Sequence, residues 1–241
     1  MEKVEKVNPY RNDSRSKERQ VADMFDSIAP AYDFMNSAMS FGMDALWQKK
    51  LVECAASDAP SRVLDLATGT GEVALALHRR LPGSGITGLD ISEGMLARAR
   101  LKKGADAIDF VCADALDTGL PDGSFDAITI AYGVRNYADL AAGMAEMHRL
   151  LRSGGRVCIL ELSEPRNGFL HSLYRLYTRT LVPALGRLTS GDSRAYTYLP
   201  ESIAACPQRE SMVALMEQAG FSSCSFRSFT FGACTLYTGL R

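Results

Sequence analysis

No two of the six cysteines in this 241-residue chain stand in a CxxC pair; positions 54, 112, 158, 206, 224 and 234 are widely scattered. That spacing argues against a zinc site and a disulfide framework, so the thiols read as mostly small buried groups of a reduced protein and no metal site is expected. An excess of charge of one sign is also missing. The 27 basic and 28 acidic side chains leave a formal charge of −1, too little to neutralise a run of phosphates, so no nucleic-acid partner is expected. The opening stretch, MEKVEKVNPYRNDSRSKERQ, has no apolar core of the kind a signal peptide or membrane anchor needs. Residues 1–20 therefore read as a flexible tail, and the protein as cytoplasmic. Internal repeats and low-complexity tracts are absent as well.

What the chain has is alternation. A helical section from Val21 to Leu51, broken near Ala29-Pro30 and at Gly42, is rich in large apolar groups such as Tyr32, Met35, Met39 and Trp47. Strands over 62–67, 86–90, 108–112, 126–131 and 155–161 then alternate with helices over 72–81, 93–103 and 138–151. That order predicts an α/β doubly wound, mostly parallel sheet. A helix over 208–219, stopped by Gly220, precedes apolar runs over 221–228 and 232–240, which read as an antiparallel hairpin added to the sheet. The chain divides into a tail (1–20), a helical cap (21–55), a cofactor-binding core (56–163), an insertion (164–205) and the C-terminal helix and hairpin (206–241).

The stretch RVLDLATGTGEVALAL (62–77) joins a strand, a glycine turn and a helix, which is where open α/β sheets hold a cofactor. Gly69 and Gly71 permit positive φ and a close approach by a ligand. The sequence Gly69-Thr-Gly71-Glu-Val-Ala74 also satisfies a dinucleotide fingerprint, so an NAD-dependent oxidoreductase is the rival reading. The acids favour another cofactor. Asp65 precedes the turn, and beside a pyrophosphate it would be repelled by roughly 1 kcal/mol or more at an effective dielectric near 20. Beside the ammonium and sulfonium of S-adenosylmethionine it would be attracted. Asp90, ending the next strand, is placed to accept from two ribose hydroxyls, and Asp114-Ala115, after the third strand, to meet the adenine amino group. Each acid also has a plain structural reading: Asp65 as a turn cap, Asp90 as part of the helix start at Ser92, Asp114 as a loop acid.

At this point the residues resemble a known family, the ubiquinone/menaquinone biosynthesis C-methyltransferases. The resemblance spans about Gln20 to Leu240 and rests on FDSIAPAYDFMNSAMSFGMDALWQKK, DAITIAYGVRNYAD, LRSGGRVCILELSEP and AYTYLPESI. It implies a class I S-adenosylmethionine-dependent methyltransferase fold of seven strands in the order 3-2-1-4-5-7-6, the seventh antiparallel. It also implies methyl transfer to a ring carbon of a reduced polyprenylated quinone precursor, demethylmenaquinol before 2-methoxy-6-polyprenyl-benzoquinol. The cofactor contacts it implies fall on Thr70, Asp90, Asp114 and Ala115, beside Asp65, Gly69 and Gly71. Glu164 and Cys206 depart from variants with Lys and His there.

Methylating a ring carbon requires alignment with the donor and an acceptor for a hydroquinone proton. The end of the fourth strand offers Tyr132, Arg135, Asn136 and Tyr137. Arg135 stays protonated and suits stabilising a phenolate, with Asn136 orienting the hydroxyl. From the cap come Tyr32 and Asp33, the latter the one obvious carboxylate base there. The plainer alternatives are a surface ion pair for Arg135 and a core position for Tyr32. The insertion FLHSLYRLYTRTLVPALGRL (169–188) is apolar and aromatic, carries Arg175, Arg179 and Arg187, and has no acid between Pro165 and Gly191. Its arginines and Pro183 exclude a spanning helix; it fits a peripheral contact with an anionic membrane surface, a tail tunnel or a lid. A homodimer is compatible with the sequence.

Overall fold

The computed structural model describes residues 4–10, 12–181 and 194–241. Seven strands form one sheet: β1 (Arg62–Leu66), β2 (Gly85–Asp90), β3 (Ile108–Cys112), β4 (Phe125–Ala131), β5 (Leu151–Leu162), β6 (Ser222–Phe229) and β7 (Cys234–Leu240). Their order is β3-β2-β1-β4-β5-β7-β6. Strands β1 to β5 pair in parallel, and β7 runs antiparallel to both β5 and β6. The sheet and its terminal hairpin agree with the sequence reading.

Alternation along the central strands builds two cores. Leu64, Leu66, Ile128 and Ile130 face α6 (Leu140–Leu150) and α9 (Glu210–Gln218), whose Met144, Met147, Met212 and Met216 complete one core. Val63, Ala127, Cys158 and Leu160 face α3 (Met43–Ala55) and α4 (Glu72–Arg80), meeting Trp47, Leu51, Val73 and Leu77. With both faces covered, the strands need near-continuous apolar sequence. Asp65 and Thr129 break that rule inside β1 and β4, and both are buried.

The helical cap falls where the sequence breaks it: α1 (Lys17–Ile28), α2 (Tyr32–Ser40) and α3, with Gly42 at φ +75° before α3. The tail does not hang loose. Val4 and Val7 are buried, and the Lys17 ammonium donates to the carbonyls of Val4 (2.6 Å) and Tyr137 (3.0 Å). Gln20 accepts from the Tyr10 amide (3.1 Å) and donates to the carbonyls of Asp13 (3.2 Å) and Arg15 (2.8 Å). Side-chain-to-backbone bonds of this kind leave no hydrophobic period, which is why the segment reads as a tail. Strand β5 also starts earlier than 155, because a register shift between its pairings with Phe125 and Ala127 keeps Leu151 in the sheet.

Helix α5 (Glu93–Arg100) follows β2, and α7 (Gly168–Leu176) opens the insertion and runs into a π-helical turn (Tyr177–Leu181). Helix α8 (Arg194–Ala205) completes the insertion. Residues 182–188 of the predicted basic segment, Pro183 and Arg187 among them, lie outside the described residues.

Candidate active site

The turn after β1 has the predicted conformation, with Gly69 at φ +56° and Gly71 at φ +78°. The two glycines do different things. A Cβ on Gly69 would meet only the Tyr32 ring, at 3.9 Å, so that backbone is open to a ligand. On Gly71 it would press on Ala99 at 3.1 Å and Phe110 at 3.2 Å. Gly71 therefore packs closely between α4, α5 and β3.

Asp90, at the end of β2, takes the Gly69 amide on Oδ2 (2.7 Å) and the Ser92 amide on Oδ1 (2.9 Å). Ser92 itself caps α5, its Oγ accepting from the Met95 amide at 3.1 Å. The cap role falls to Ser92, and Asp90 faces a cavity lined also by Gly69, Asp114, Ala115, Asn136 and Tyr137. Asp114 takes the Leu116 amide at 2.9 Å while lining the same cavity. Asp65 accepts from Thr68 Oγ1 and Thr129 Oγ1, both at 2.6 Å, and lines a second, more acidic cavity. Burial pushes the carboxyls of Asp65 and Asp90 up to about 6, against the hydrogen bonds they accept. No cation pairs with either among the described residues.

Asp33 and Thr70 are bound to each other: the Thr70 hydroxyl donates to Asp33 Oδ1, and Lys102 Nζ lies 2.6 Å from Oδ2. Lys102 also pairs with Glu72. The expected base is thus held by a cation, its side chain 44% exposed at the rim. It serves as a clasp between cap and turn, and Thr70 spends its hydroxyl on that clasp.

Arg135 and Asn136 follow β4 and are buried, which removes the surface-ion-pair reading of Arg135. Arg135 Nη1 donates to Glu161 Oε1 at 2.8 Å and to the Tyr132 carbonyl. Its Nε is buried without a partner, as is Asn136 Oδ1. Burial opposes the guanidinium charge, but Glu161 outweighs it and holds the pKa above its ordinary value. Tyr132, whose carbonyl anchors both side chains, sits at φ +59°. A tyrosine in the left-handed region is strained by about 1 kcal/mol or more, a state that concentrates at functional sites. Its phenol is buried and unpartnered. Arg135 lines a third cavity with Met39, Trp47, Tyr174, Tyr177 and Leu199. Tyr32 and Tyr132 line all three cavities, so the space beside Asp90 and the space beside Arg135 meet at these two rings.

Comparison with known proteins decides what kind of site this is. A family model described as the ubiE/COQ5 methyltransferase family matches residues 13–241. The chain belongs to that family. Among its relatives in it, the demethylmenaquinone methyltransferase of Bacteroides fragilis is 42% identical over 241 residues, 98% of each chain. That of Thermus thermophilus is 46% identical over 220 residues, 90% of this chain and all of the relative. The fold resembles that of the Haemonchus contortus phosphoethanolamine N-methyltransferase 2 solved with S-adenosyl-L-methionine, at TM-score 0.65 and 14% identity over 96% of this chain and 61% of that one. The oxidoreductase alternative is not supported.

The residues of this methyltransferase fit S-adenosylmethionine on their own terms. Two carboxylates raised by burial and without a cationic partner among the described residues are relieved by hydroxyl donors and a cation, and would be worsened by a pyrophosphate. Four contributors escaped the sequence reading. Glu161 reads as part of a strand, although a glutamate inside the buried run ILEL is itself a signal. Thr129 and Thr68, which hold Asp65, look like ordinary strand and turn residues. Lys17, which ties the N-terminal segment to the loop after β4, lies within the supposed tail.

Proposed function

We propose that this methyltransferase transfers the methyl group of S-adenosylmethionine to a ring carbon of demethylmenaquinol. The observation that carries the reading is the meeting of the Asp90 and Arg135 cavities at Tyr32 and Tyr132, in a chain of the ubiE/COQ5 family. Bound beside Asp90, S-adenosylmethionine supplies a methyl group already activated by the sulfonium. Asp90 accepts the ribose hydroxyls, Asp114 with Ala115 meets the adenine, and Asp65 offers negative charge to the methionine end. On the other side of the tyrosine pair, Arg135 stabilises the oxygen of a quinol whose proton passes to water, and the proton of the methylated ring carbon leaves to water in turn. Tyr32, which lines both cavities, orients the quinol hydroxyl, and Asn136 stands on the donor side beside Asp90, leaving the adjacent ring carbon as the nucleophile. The apolar and aromatic wall of Met39, Trp47, Tyr174, Tyr177 and Leu199 suits a naphthalene ring and the start of a prenyl chain. Cells lacking the protein should accumulate demethylmenaquinone; an unchanged quinone profile would count against the substrate.

A polyprenyl tail needs a route from the bilayer. No helix among the described residues is long and apolar enough to cross a membrane. A peripheral contact is supported instead. Phe169, Leu173 and Leu176 are exposed at i, i+4 and i+7 on α7, with Arg175 and Arg179 exposed beside them. Exposed Phe41 stacks against Tyr177, ring centroids 5.8 Å apart, and the Tyr177 hydroxyl donates to the Met39 carbonyl at 2.6 Å. Tyr177 also lines the Arg135 cavity, so this apolar and basic surface lies against the substrate space. Wild-type protein should co-sediment with anionic vesicles and dissociate as salt rises. Phe169→Asp with Leu173→Asp should abolish sedimentation and leave S-adenosylhomocysteine affinity unchanged. Absence of wild-type binding at every salt concentration would sink the contact.

A further inference from the structure

Glu161 ends the buried part of β5 and is 2% exposed. Its carboxylate grips Arg135 twice: Oε1 accepts from Nη1 at 2.8 Å, and Oε2 from the Arg135 backbone amide at 3.3 Å. Oε1 also takes the Leu162 amide at 2.8 Å, which fixes the carboxylate in turn. This is the one ion pair that Arg135 makes among the described residues. With Nη1 shared between Glu161 and the Tyr132 carbonyl, the guanidinium cannot rotate, and its Nε is left buried without a partner in the wall shared with Tyr32, Tyr132 and Tyr174.

We propose that Glu161 is a positioning residue for methyl transfer: by holding the Arg135 backbone and Nη1, it aims the remaining donors of the guanidinium at the substrate oxygen. The inference rests on the reaction proposed above. A lone buried arginine would turn toward whatever carbonyl or water it could reach; a carboxylate on one edge sets the direction of the other. The titratable neighbours that face the pair do not compete for this task. Burial raises the thiols of Cys206 and Cys234 and the phenols of Tyr32, Tyr132, Tyr137, Tyr174, Tyr198 and Tyr237, so all eight stay neutral in the working range.

The test measures kcat for demethylmenaquinol, KM for S-adenosylmethionine and the pH profile of kcat in the wild type, Glu161→Gln and Glu161→Asp. Both substitutions are repeated in an Arg135→Ala background. Glu161→Gln should lower kcat at least tenfold with KM for S-adenosylmethionine within twofold, and move the acid limb of the profile to higher pH, because the quinol oxygen loses an aimed cation. Glu161→Asp should lose less. Neither change should lower kcat further once Arg135 is gone. The proposal is overturned if kcat holds while only the melting temperature falls, if the losses multiply in the double variants, or if the limb stays put or moves to lower pH. Should Glu161→Gln fail to fold, Glu161→Asp, which keeps the charge, must still show a kcat loss with an alkaline limb shift; an unchanged kcat overturns the proposal. A wild type that methylates no quinol sinks the proposed reaction itself, whereas an active wild type with unaffected variants sinks only the role of Glu161.

Discussion

Arg135→Ala should reduce turnover of demethylmenaquinol by about a hundredfold to a thousandfold, the usual loss when one donor to a developing oxyanion is removed. Affinity for S-adenosylhomocysteine should stay within about twofold, because Arg135 lines the cavity beyond Tyr32 and Tyr132, not the one beside Asp90. The same change leaves the Glu161 carboxylate buried with no cation beside it, and breaking a buried pair in this way costs about 3–5 kcal/mol of stability. A lower melting temperature is therefore part of the expected result. Assay at saturating S-adenosylmethionine separates the two effects, since ligand binding restores the fold but not the lost cation. Arg135→Lys should fold better and still turn over poorly, as an ammonium cannot serve Glu161, the Tyr132 carbonyl and the substrate from one planar fork. Loss of S-adenosylhomocysteine binding with retained turnover would contradict the placement of Arg135.

The second large effect falls on the cofactor. Asp90→Asn should weaken S-adenosylhomocysteine about a hundredfold, roughly 3 kcal/mol, which is within the range for hydrogen bonds to a charged group. Each Asp90 oxygen already takes one backbone amide, from Gly69 or Ser92, and keeps a lone pair for a ribose hydroxyl. An asparagine places an NH2 against one of those amides and offers a single acceptor. The wild type should show a related dependence on pH. Asp65 and Asp90 rise from 3.8 to about 6 on folding without ligand. Between those limits the native state binds protons that the unfolded chain does not. Their contribution to unliganded stability is therefore fully present below about pH 4 and is lost as pH rises through 6. Ligand binding runs the other way, because ribose hydroxyls and an ammonium require ionised oxygens. Affinity for S-adenosylhomocysteine by titration calorimetry should rise about tenfold or more from pH 5 to pH 7.5 and level off above it. A flat profile would mean that neither carboxylate is perturbed in the way its burial requires.

How far the site could be read from the chain differs by residue. The doubly wound sheet and the glycine turn were legible because a βαβ rhythm with apolar strands admits few topologies; the strand order came only with the family resemblance. Asp65, Asp90 and Asp114 stood out as candidates because acids at three successive strands are costly unless a ligand uses them. The packing of Gly71 against Phe110 was not legible, since a glycine needed for packing looks the same in sequence as one needed for ligand approach. The pairing of Asp33 with Lys102, 69 positions away, was not legible, because the approach of that lysine depends on how the cap docks. Glu161 stood in plain view inside an apolar run. Its partner, Arg135, lies on another strand's loop, and only strand register brings the two together. The N-terminal residues were illegible because polar bonds to backbone atoms, not periodicity, fix them.

The central claim, methyl transfer from S-adenosylmethionine to a quinol carbon, is tested most directly by incubating the purified protein with methyl-labelled S-adenosylmethionine and chemically reduced demethylmenaquinol in vesicles. The account predicts labelled menaquinol carrying one new carbon-bound methyl group, formed in equal amount with S-adenosylhomocysteine and lost in Arg135→Ala. Label found on a quinol oxygen, or no label in the quinol while S-adenosylhomocysteine binds normally, would contradict it.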